Sequence, residues 1–283
     1  MPTRTIADEV ELYLRTGDSD VLLTAWPGEL HERGKRAHED LRGRLVREVR
    51  CLAGSRSHHP LPIDDTVALT RSKVEPMIRG LFPKAEAPTV LSAVEKSVVF
   101  LSSANIEQIL FDQLWNSSAW DIANLFLASV GADLLGENAP RIVGMSEEQV
   151  CYVSAGYFAK TSPFADFIVH EVAHIFHNCK RETIGLEQTR TREWLLDIEY
   201  SERETFAYSC EAYSQVFARA TNPAERRELA LEYARAGSIS ADAVDPEKVA
   251  ALVIAASTAR NGWKVILENC APPRRARARA NSG

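Results

Sequence analysis

The sequence predicts an α+β protein that is rich in helices and contains a small sheet. Apolar residues recur every three to four positions over most of the chain, as Leu41, Leu45, Val49 and Leu52 do, which is the spacing of an amphipathic helix. One short segment, residues 149–154, is β-branched and aromatic instead, and it is the best candidate strand. We therefore expect a helical molecule whose sheet has few strands.

Proline-containing breaks predict how the chain divides. Residues 6–53 are predicted to be helical, and a break at residues 83–88 contains two prolines. The predicted organisation is a helical N-terminal region, a main domain and a basic disordered tail, which are residues 1–88, 89–270 and 271–283. The arginine-rich end of that tail is interpreted as a solvated segment.

Cap signals predict where the helices of the main domain begin. Ser162 followed by Pro163 predicts a helix that runs to about Cys179. A long helix is predicted from Trp194 to Ala218. Further helices are expected to start at the other cap-proline pairs, Asn222-Pro223 and Asp245-Pro246.

Composition and charge exclude several classes of protein. The chain has 283 residues, a net charge of −6 and a pI of about 5.7, so it lacks the basic face of a general nucleic-acid binder. It has no apolar run of the roughly 18 residues that a membrane span needs. No secretory signal is recognised, and the five widely spaced cysteines fit reduced thiols. We expect a cytoplasmic protein that binds neither nucleic acid nor membrane, with export by a route that needs no signal peptide left open.

One sequence motif indicates a metal-binding catalytic site. The segment His170-Glu171-Val172-Ala173-His174 has the pattern HExxH. Two histidines four positions apart lie on the same face of a helix, one turn apart, where both can bind one tetrahedral zinc ion. Glu171 lies beside them and can reach a water that the ion activates. The motif therefore predicts His170 and His174 as ligands of Zn²⁺, and Glu171 as the general base that takes the proton of the attacking water.

A catalytic zinc site also needs a third protein ligand. No histidine follows His177 in the sequence, which excludes the metzincin pattern with its third histidine. A carboxylate, a thiolate, an upstream histidine or His177 remains, and the carboxylates of the predicted second helix are the best source. Glu204 and Glu211 share one face of that helix, whereas Glu202 and Glu199 are turned away from Glu204.

The HExxH motif followed by a second helix with Glu204-Thr205-Phe206-Ala207 resembles the gluzincin group of zincin metallopeptidases. The local likeness is to the catalytic domain of anthrax lethal factor and, more loosely, to the ImmA/IrrE proteases, over about 50 residues. The resemblance implies an α-rich zincin-like catalytic domain, with His170, His174 and Glu204 as zinc ligands and Glu171 as general base. It also implies that the candidate strand, which ends about sixteen residues before His170, is the edge strand that pairs with an extended substrate.

The same resemblance concerns the neighbours of the third ligand. In lethal factor a tyrosine assists catalysis two helical turns before that ligand, and here Asp197 holds the position. Tyr200 and Tyr208, each one turn from Glu204, are therefore the candidates for stabilising the oxyanion. Glu211 is expected to hold a ligand imidazole through a hydrogen bond. His177 is interpreted as a packed or solvated side chain, with a hydrogen bond to the site as the alternative.

The predicted function is hydrolysis of a bond in a peptide or protein substrate by zinc-activated water. Two other functions stay open. The domain could be a zinc-binding sensor or interaction module with a vestigial site, which the likeness to ImmA/IrrE regulators makes plausible. It could also be a toxin or effector whose N-terminal helices recognise one host protein.

Overall fold

A computed structural model of the chain describes residues 4–54, 56, 61–139, 142–159, 162–189, 192–237 and 244–273. Within these ranges the chain is mostly helical and has one three-stranded sheet, which confirms the predicted α+β class at that level. The helices are α1 (Ile6–Thr16), α2 (Leu30–Ala53), α3 (Thr66–Leu81), α4 (Ala87–Val94), α5 (Ile106–Asp112), α6 (Asn116–Ser129), α7 (Phe167–Asn178), α8 (Arg203–Arg219), α9 (Pro223–Ala236), α10 (Pro246–Thr258) and α11 (Gly262–Cys270). The strands are β1 (Val98–Phe100), β2 (Gly144–Glu147) and β3 (Val150–Val153). The arginine-rich end of the predicted tail, residues 274–283, lies outside the described residues.

The chain forms two compact units, each assembled from three separate stretches. The first unit consists of Met1–Asp64, Val99–Met145 and Tyr152–Lys160. The second consists of Asp65–Val98, Ser146–Cys151 and Thr161–Gly283. The chain therefore passes from one unit to the other within each of the three strands. The boundary predicted after residue 88 falls inside helix α4, which packs against α3 within the second unit.

The first unit contains helices α1, α2, α5 and α6. The helical region predicted for residues 6–53 occurs as α1 and α2, joined by a non-helical segment. Arg42 of α2 is fully buried, and its guanidinium donates hydrogen bonds to the hydroxyl of Tyr13 (2.7 Å) and to the carbonyl of Gln113 (3.1 Å). These bonds matter because a charged group inside a core is tolerated only when its donors are satisfied.

The sheet has the strand order β1-β3-β2. The strand predicted at residues 149–154 is confirmed as β3, but it is the central strand, so its expected place at the sheet edge is wrong. Strand β2 forms an edge instead. Strands β1 and β2 were not predicted, because β1 has only three residues and the sequence of β2, Gly-Met-Ser-Glu, contains no β-branched residue.

Helix α7 lies inside the second unit and packs against α8 and α3. It is buried on all sides, since every residue from Ile168 to His177 is buried, with Ile168, Val169, Val172, Ile175 and Phe176 almost completely so. A helix of this kind is stable only when it is surrounded by other elements. It begins at Phe167 rather than at the predicted position near residue 162. The preceding residues form a turn, in which the amide of Ala165 donates to the carbonyl of Ser162 (3.4 Å).

Helix α8 is shorter than predicted, since it begins at Arg203 and not at Trp194. The amide of Leu195 donates to the carbonyl of Cys179 (3.0 Å), and the amide of Leu196 donates to the carbonyl of Phe176 (2.7 Å). Residues 194–196 therefore run alongside the end of α7, and their backbone donors are not available for a helix.

The helix starts predicted at Asn222 and Asp245 are confirmed. The side chain of Asn222 accepts a hydrogen bond from the amide of Glu225, and that of Asp245 accepts one from the amide of Glu247. No helix among the described residues combines the length and the apolar character that a bilayer span requires. All five cysteines are free thiols, and four of them are buried.

Candidate metal centre

Helix α7 presents two imidazoles at one place on its surface. His170 and His174 are one helical turn apart, and both side chains are buried. Their Nε2 atoms lie 3.2 Å from each other. The i, i+4 spacing has therefore brought two nitrogen donors to a separation at which one ion can bind both.

Helix α8 adds a carboxylate from its first turn. Oε2 of Glu204 lies 3.7 Å from Nε2 of His170, and Oε1 of Glu204 lies 3.5 Å from Nε2 of His174. The side chain of Glu204 is 45% exposed, so the group is open to solvent on the side of this residue. The structure thus brings together the three residues that were predicted as zinc ligands.

The spacing of the three donor groups fits a tetrahedral zinc ion. Bonds of about 2.0–2.2 Å to nitrogen and carboxylate oxygen place neighbouring corners of a tetrahedron roughly 3.3–3.6 Å apart. The two Nε2 atoms are 3.2 Å apart, and each has one oxygen of Glu204 at 3.5 or 3.7 Å, although the two contacts involve different oxygens. One donor atom from each residue gives a group whose members all lie within 4.8 Å of one another. Elsewhere in the described part of the chain, no group of three His, Cys, Asp or Glu side chains has comparable spacing. Two imidazoles and one carboxylate are also a donor set that zinc uses in catalytic sites.

The other carboxylates of this region are engaged elsewhere. Glu199 precedes helix α8, and its side chain accepts a hydrogen bond from the amide of Tyr200. Glu202 forms an ion pair with Lys248 (2.5 Å). Glu199 is not part of a helix, so the helical angle predicted between it and Glu204 does not apply.

Glu211, two turns after Glu204, holds the first imidazole. Its Oε2 lies 3.0 Å from Nδ1 of His170, and its Oε1 accepts a hydrogen bond from the amide of Asp166 (2.8 Å). An acceptor at Nδ1 keeps the proton on that nitrogen and leaves Nε2 to face Glu204 and His174. The predicted hydrogen bond between Glu211 and a ligand imidazole is confirmed.

A third histidine supports the second imidazole in the same manner. Nε2 of His177 lies 3.0 Å from Nδ1 of His174, and Nδ1 of His177 lies 3.0 Å from the side-chain oxygen of Asn178. The amide oxygen of Asn178 can only accept, so the proton order runs from His174 to His177 to Asn178. His177 is a packed, hydrogen-bonded residue and leaves Nε2 of His174 available to an ion.

Without a metal ion, the two imidazoles have opposite charge preferences. Burial opposes a charge on His170, but hydrogen bonds to Glu204 and Glu211 outweigh it and raise the pKa to about 10. Burial and the positive charge of His170 lower the pKa of His174 to about 3. His170 therefore carries a proton that must leave before its Nε2 can bind a metal.

Glu171 is buried beside the imidazoles. Burial is the main cause that raises its pKa to about 7, and the positive charge of His170 acts in the opposite direction. The side chain of Ser146 in strand β2 has a smaller effect and lowers the pKa. A carboxyl group that titrates near neutral pH can accept a proton and return it under ordinary conditions, which is the requirement for a general base.

The two candidate tyrosines differ in position. The ring centre of Tyr208 lies 4.5 Å from that of His170, so its hydroxyl belongs to the surroundings of the centre. Tyr200 is 79% exposed, and its ring contacts the guanidinium of Arg203. Of the two tyrosines, Tyr208 is therefore the one that lies beside the imidazoles.

Two residues of the centre were missed from the sequence. Ser146 had no signal, because it lies 24 positions before His170 in a strand that the sequence pattern does not predict. Asn178 follows His177 directly, and its role depends on the ring orientation of that histidine, which spacing does not determine.

Removing the support from His170 should weaken metal binding without abolishing it. We expect Glu211→Gln to lower zinc affinity by about 10–100-fold, the usual cost of losing a hydrogen-bond partner of a ligand imidazole. Competition with a chromophoric chelator measures the affinity. The control is Glu225→Gln on α9, which removes an exposed carboxylate away from the imidazoles. Equal affinity in Glu211→Gln and wild type would show that this hydrogen bond is unrelated to metal binding.

Comparison of the chain with protein-family models, with curated proteins and with solved structures finds no match. The interpretation of the centre therefore depends on its own residues, distances and charges.

Proposed function

We propose that the protein is a zinc-dependent hydrolase of the metallopeptidase type. The observation that carries the proposal is the triangle formed by His170, His174 and Glu204, with the carboxyl group of Glu171 buried beside it. A zinc ion bound there would supply Lewis-acid chemistry, since it polarises a carbonyl and lowers the pKa of water from ~15.7 to ~7.

Glu171 is the residue assigned to proton transfer. Its neighbours His170 and His174 point their Nε2 atoms at the position where the ion fits, and Glu204 contributes the third corner. Glu171 is not needed as a ligand, so its carboxylate is free to take a proton from water and pass it to the leaving amine.

An extended peptide is the substrate class that this arrangement favours. Ser146, which contacts Glu171, belongs to β2, and β2 is an edge of the sheet. Edge strands bind extended peptides through backbone hydrogen bonds, and alternate side chains of the peptide then enter pockets. A peptide aligned on the Ser146–Glu147 end of β2 would place its backbone carbonyls near Glu171.

A second candidate is a zinc-binding sensor or interaction module without turnover. The position of Tyr200 favours this candidate, because the side chain faces solvent. Of the two tyrosines predicted to stabilise the oxyanion, only Tyr208 lies beside the centre. The two functions share the metal and differ only in whether a bond is broken.

Digestion of a peptide library by the zinc-loaded protein separates these candidates. We expect cleavage that mass spectrometry assigns to defined positions, that a chelator abolishes and that added zinc restores. Metal analysis on the same sample gives the occupancy. Full zinc occupancy without any cleavage would contradict the peptidase proposal and support the second candidate.

A further inference from the structure

A large cavity lies in the second unit beyond the C-terminal end of α7. Its volume is about 1610 Å³, which exceeds the roughly 300–1,000 Å³ of most small-molecule sites. The walls come from the ends of α3, α7 and α8, from α11 and from residues 192–198. Much of the lining is apolar, namely Leu81, Phe82, Leu195, Leu196, Ile198 and Leu267. Such walls favour a ligand with an apolar body.

The charges in this cavity are unbalanced. Three cationic side chains line it, from Arg192, Arg203 and Lys264, and they face two carboxyl groups, from Asp197 and Glu268. The lining therefore carries one positive charge in excess when all five groups are ionised. A ligand with a single negative charge balances this excess, whereas a doubly charged one would add repulsion from the two carboxylates.

Arg203 is the cation best prepared to receive an anion. Its Nε is buried and makes no hydrogen bond with any described residue. Its guanidinium lies 4.9 Å from the ring centre of Tyr200, and this contact satisfies none of its N–H groups. Because Arg203 lines the cavity and its guanidinium has no carboxylate partner among the described residues, its terminal N–H groups are available to an anion there. Arg203 is also the first residue of α8, so the positive end of that helix dipole adds to its charge.

We propose that this cavity binds an amphipathic monoanion, an apolar body that ends in one carboxylate, and that the carboxylate binds the guanidinium of Arg203. The planar guanidinium matches a carboxylate through two parallel hydrogen bonds. A fatty carboxylate and the carboxyl end of an apolar peptide share this chemistry. The site is beside the metal centre but separate from its ligands, because His177, which lines the cavity, touches His174 on Nδ1 and not on Nε2. The proposal does not depend on peptidase activity.

Isothermal titration calorimetry on the full chain tests the proposal with two acids and their neutral analogues. The probes are dodecanoate against dodecanol, and acetyl-Leu-Leu as the free acid against its amide. We expect one acid to bind with one site per chain and at least about tenfold more tightly than its neutral analogue, the effect of one charged hydrogen-bonded contact. The acid that binds identifies the source of the ligand. Failure of both acids, or equal binding of acids and neutral analogues, would overturn the proposal.

Two variants locate the ligand in the cavity. Arg203→Gln should weaken binding of the acid at least about tenfold and leave its neutral analogue little changed. Ala271→Trp should weaken binding by obstructing part of the cavity without altering any of its charges. Arg227→Gln is the matched control, since it removes an exposed arginine of α9, and it should bind like wild type. Circular dichroism and zinc content verify that each variant is folded. Wild-type affinity in both Arg203→Gln and Ala271→Trp would place the ligand elsewhere and refute the site.

Discussion

Glu171→Gln should retain one zinc ion per chain and lose peptide hydrolysis by about 10²–10⁴-fold, the usual contribution of a general base. The amide has nearly the shape of the carboxylate, so the packing beside His170 and His174 is kept. It cannot accept a proton, and the two other carboxylates described at the centre are engaged, because Glu204 is a candidate ligand and Glu211 is held by His170 and Asp166. Rates are measured on the best peptide from the library, with zinc content measured on the same preparation.

The control for this variant is Glu228→Gln, which changes an exposed carboxylate of α9 in the same unit. It should be as active as wild type. Full activity in Glu171→Gln would refute the assigned mechanism, even with zinc in place. Loss of both zinc and activity would instead show that Glu171 is needed for metal binding. The loss of activity would then give no information about proton transfer.

The second large effect concerns the metal. His174→Ala should abolish stoichiometric zinc binding, since it removes one of three donors, and Glu204→Ala should do the same. Glu211→Ala should bind zinc more weakly but still measurably, because Glu211 touches the imidazole of His170 and lies outside the triangle of donors. Metal analysis after dialysis against a defined concentration of free zinc compares the three variants.

His31→Ala, at an exposed histidine of α2, is the control for loss of an imidazole alone and should bind zinc like wild type. The most informative result is which of the two glutamate variants loses more zinc. If Glu211→Ala lost the metal and Glu204→Ala kept it, the third ligand would be wrongly assigned. Unchanged zinc content in His174→Ala would remove the metal centre altogether.

Much of the centre could be predicted because its main constraint is local. The positions of His170 and His174 on one helical face follow from a spacing of four residues, and the apolar residues between them identify a buried helix. Glu204 lies on another helix, so spacing alone could not choose it from Glu211, and its selection required the resemblance to gluzincins. The contact of Glu211 with His170 is consistent with two carboxylates on one face of α8.

What the sequence did not predict depends on contacts between distant segments. Residues 194–199 carry the spacing of a helix, yet Leu195 and Leu196 give their amide hydrogens to the end of α7. Strand β2 has no strand-like composition, and only pairing in the sheet makes it one. The edge position was consequently assigned to β3, and the contact between Ser146 and Glu171 was missed.

The division of both units into three stretches has a consequence for how the chain reaches its folded state. During synthesis the first stretch of the second unit, Asp65–Val98, emerges before the first unit is complete. It cannot pack against helix α7 until that helix has also been synthesised. Glu86 and Arg181, whose partly buried ion pair joins these parts, are 95 positions apart. Contacts between residues so far apart in sequence form slowly. With this order of segments, synthesis cannot complete one unit before the other has begun to emerge. A fragment that begins at residue 89 would lack helix α3. It would therefore lack Lys73, whose ammonium group pairs with Asp166 at the start of α7.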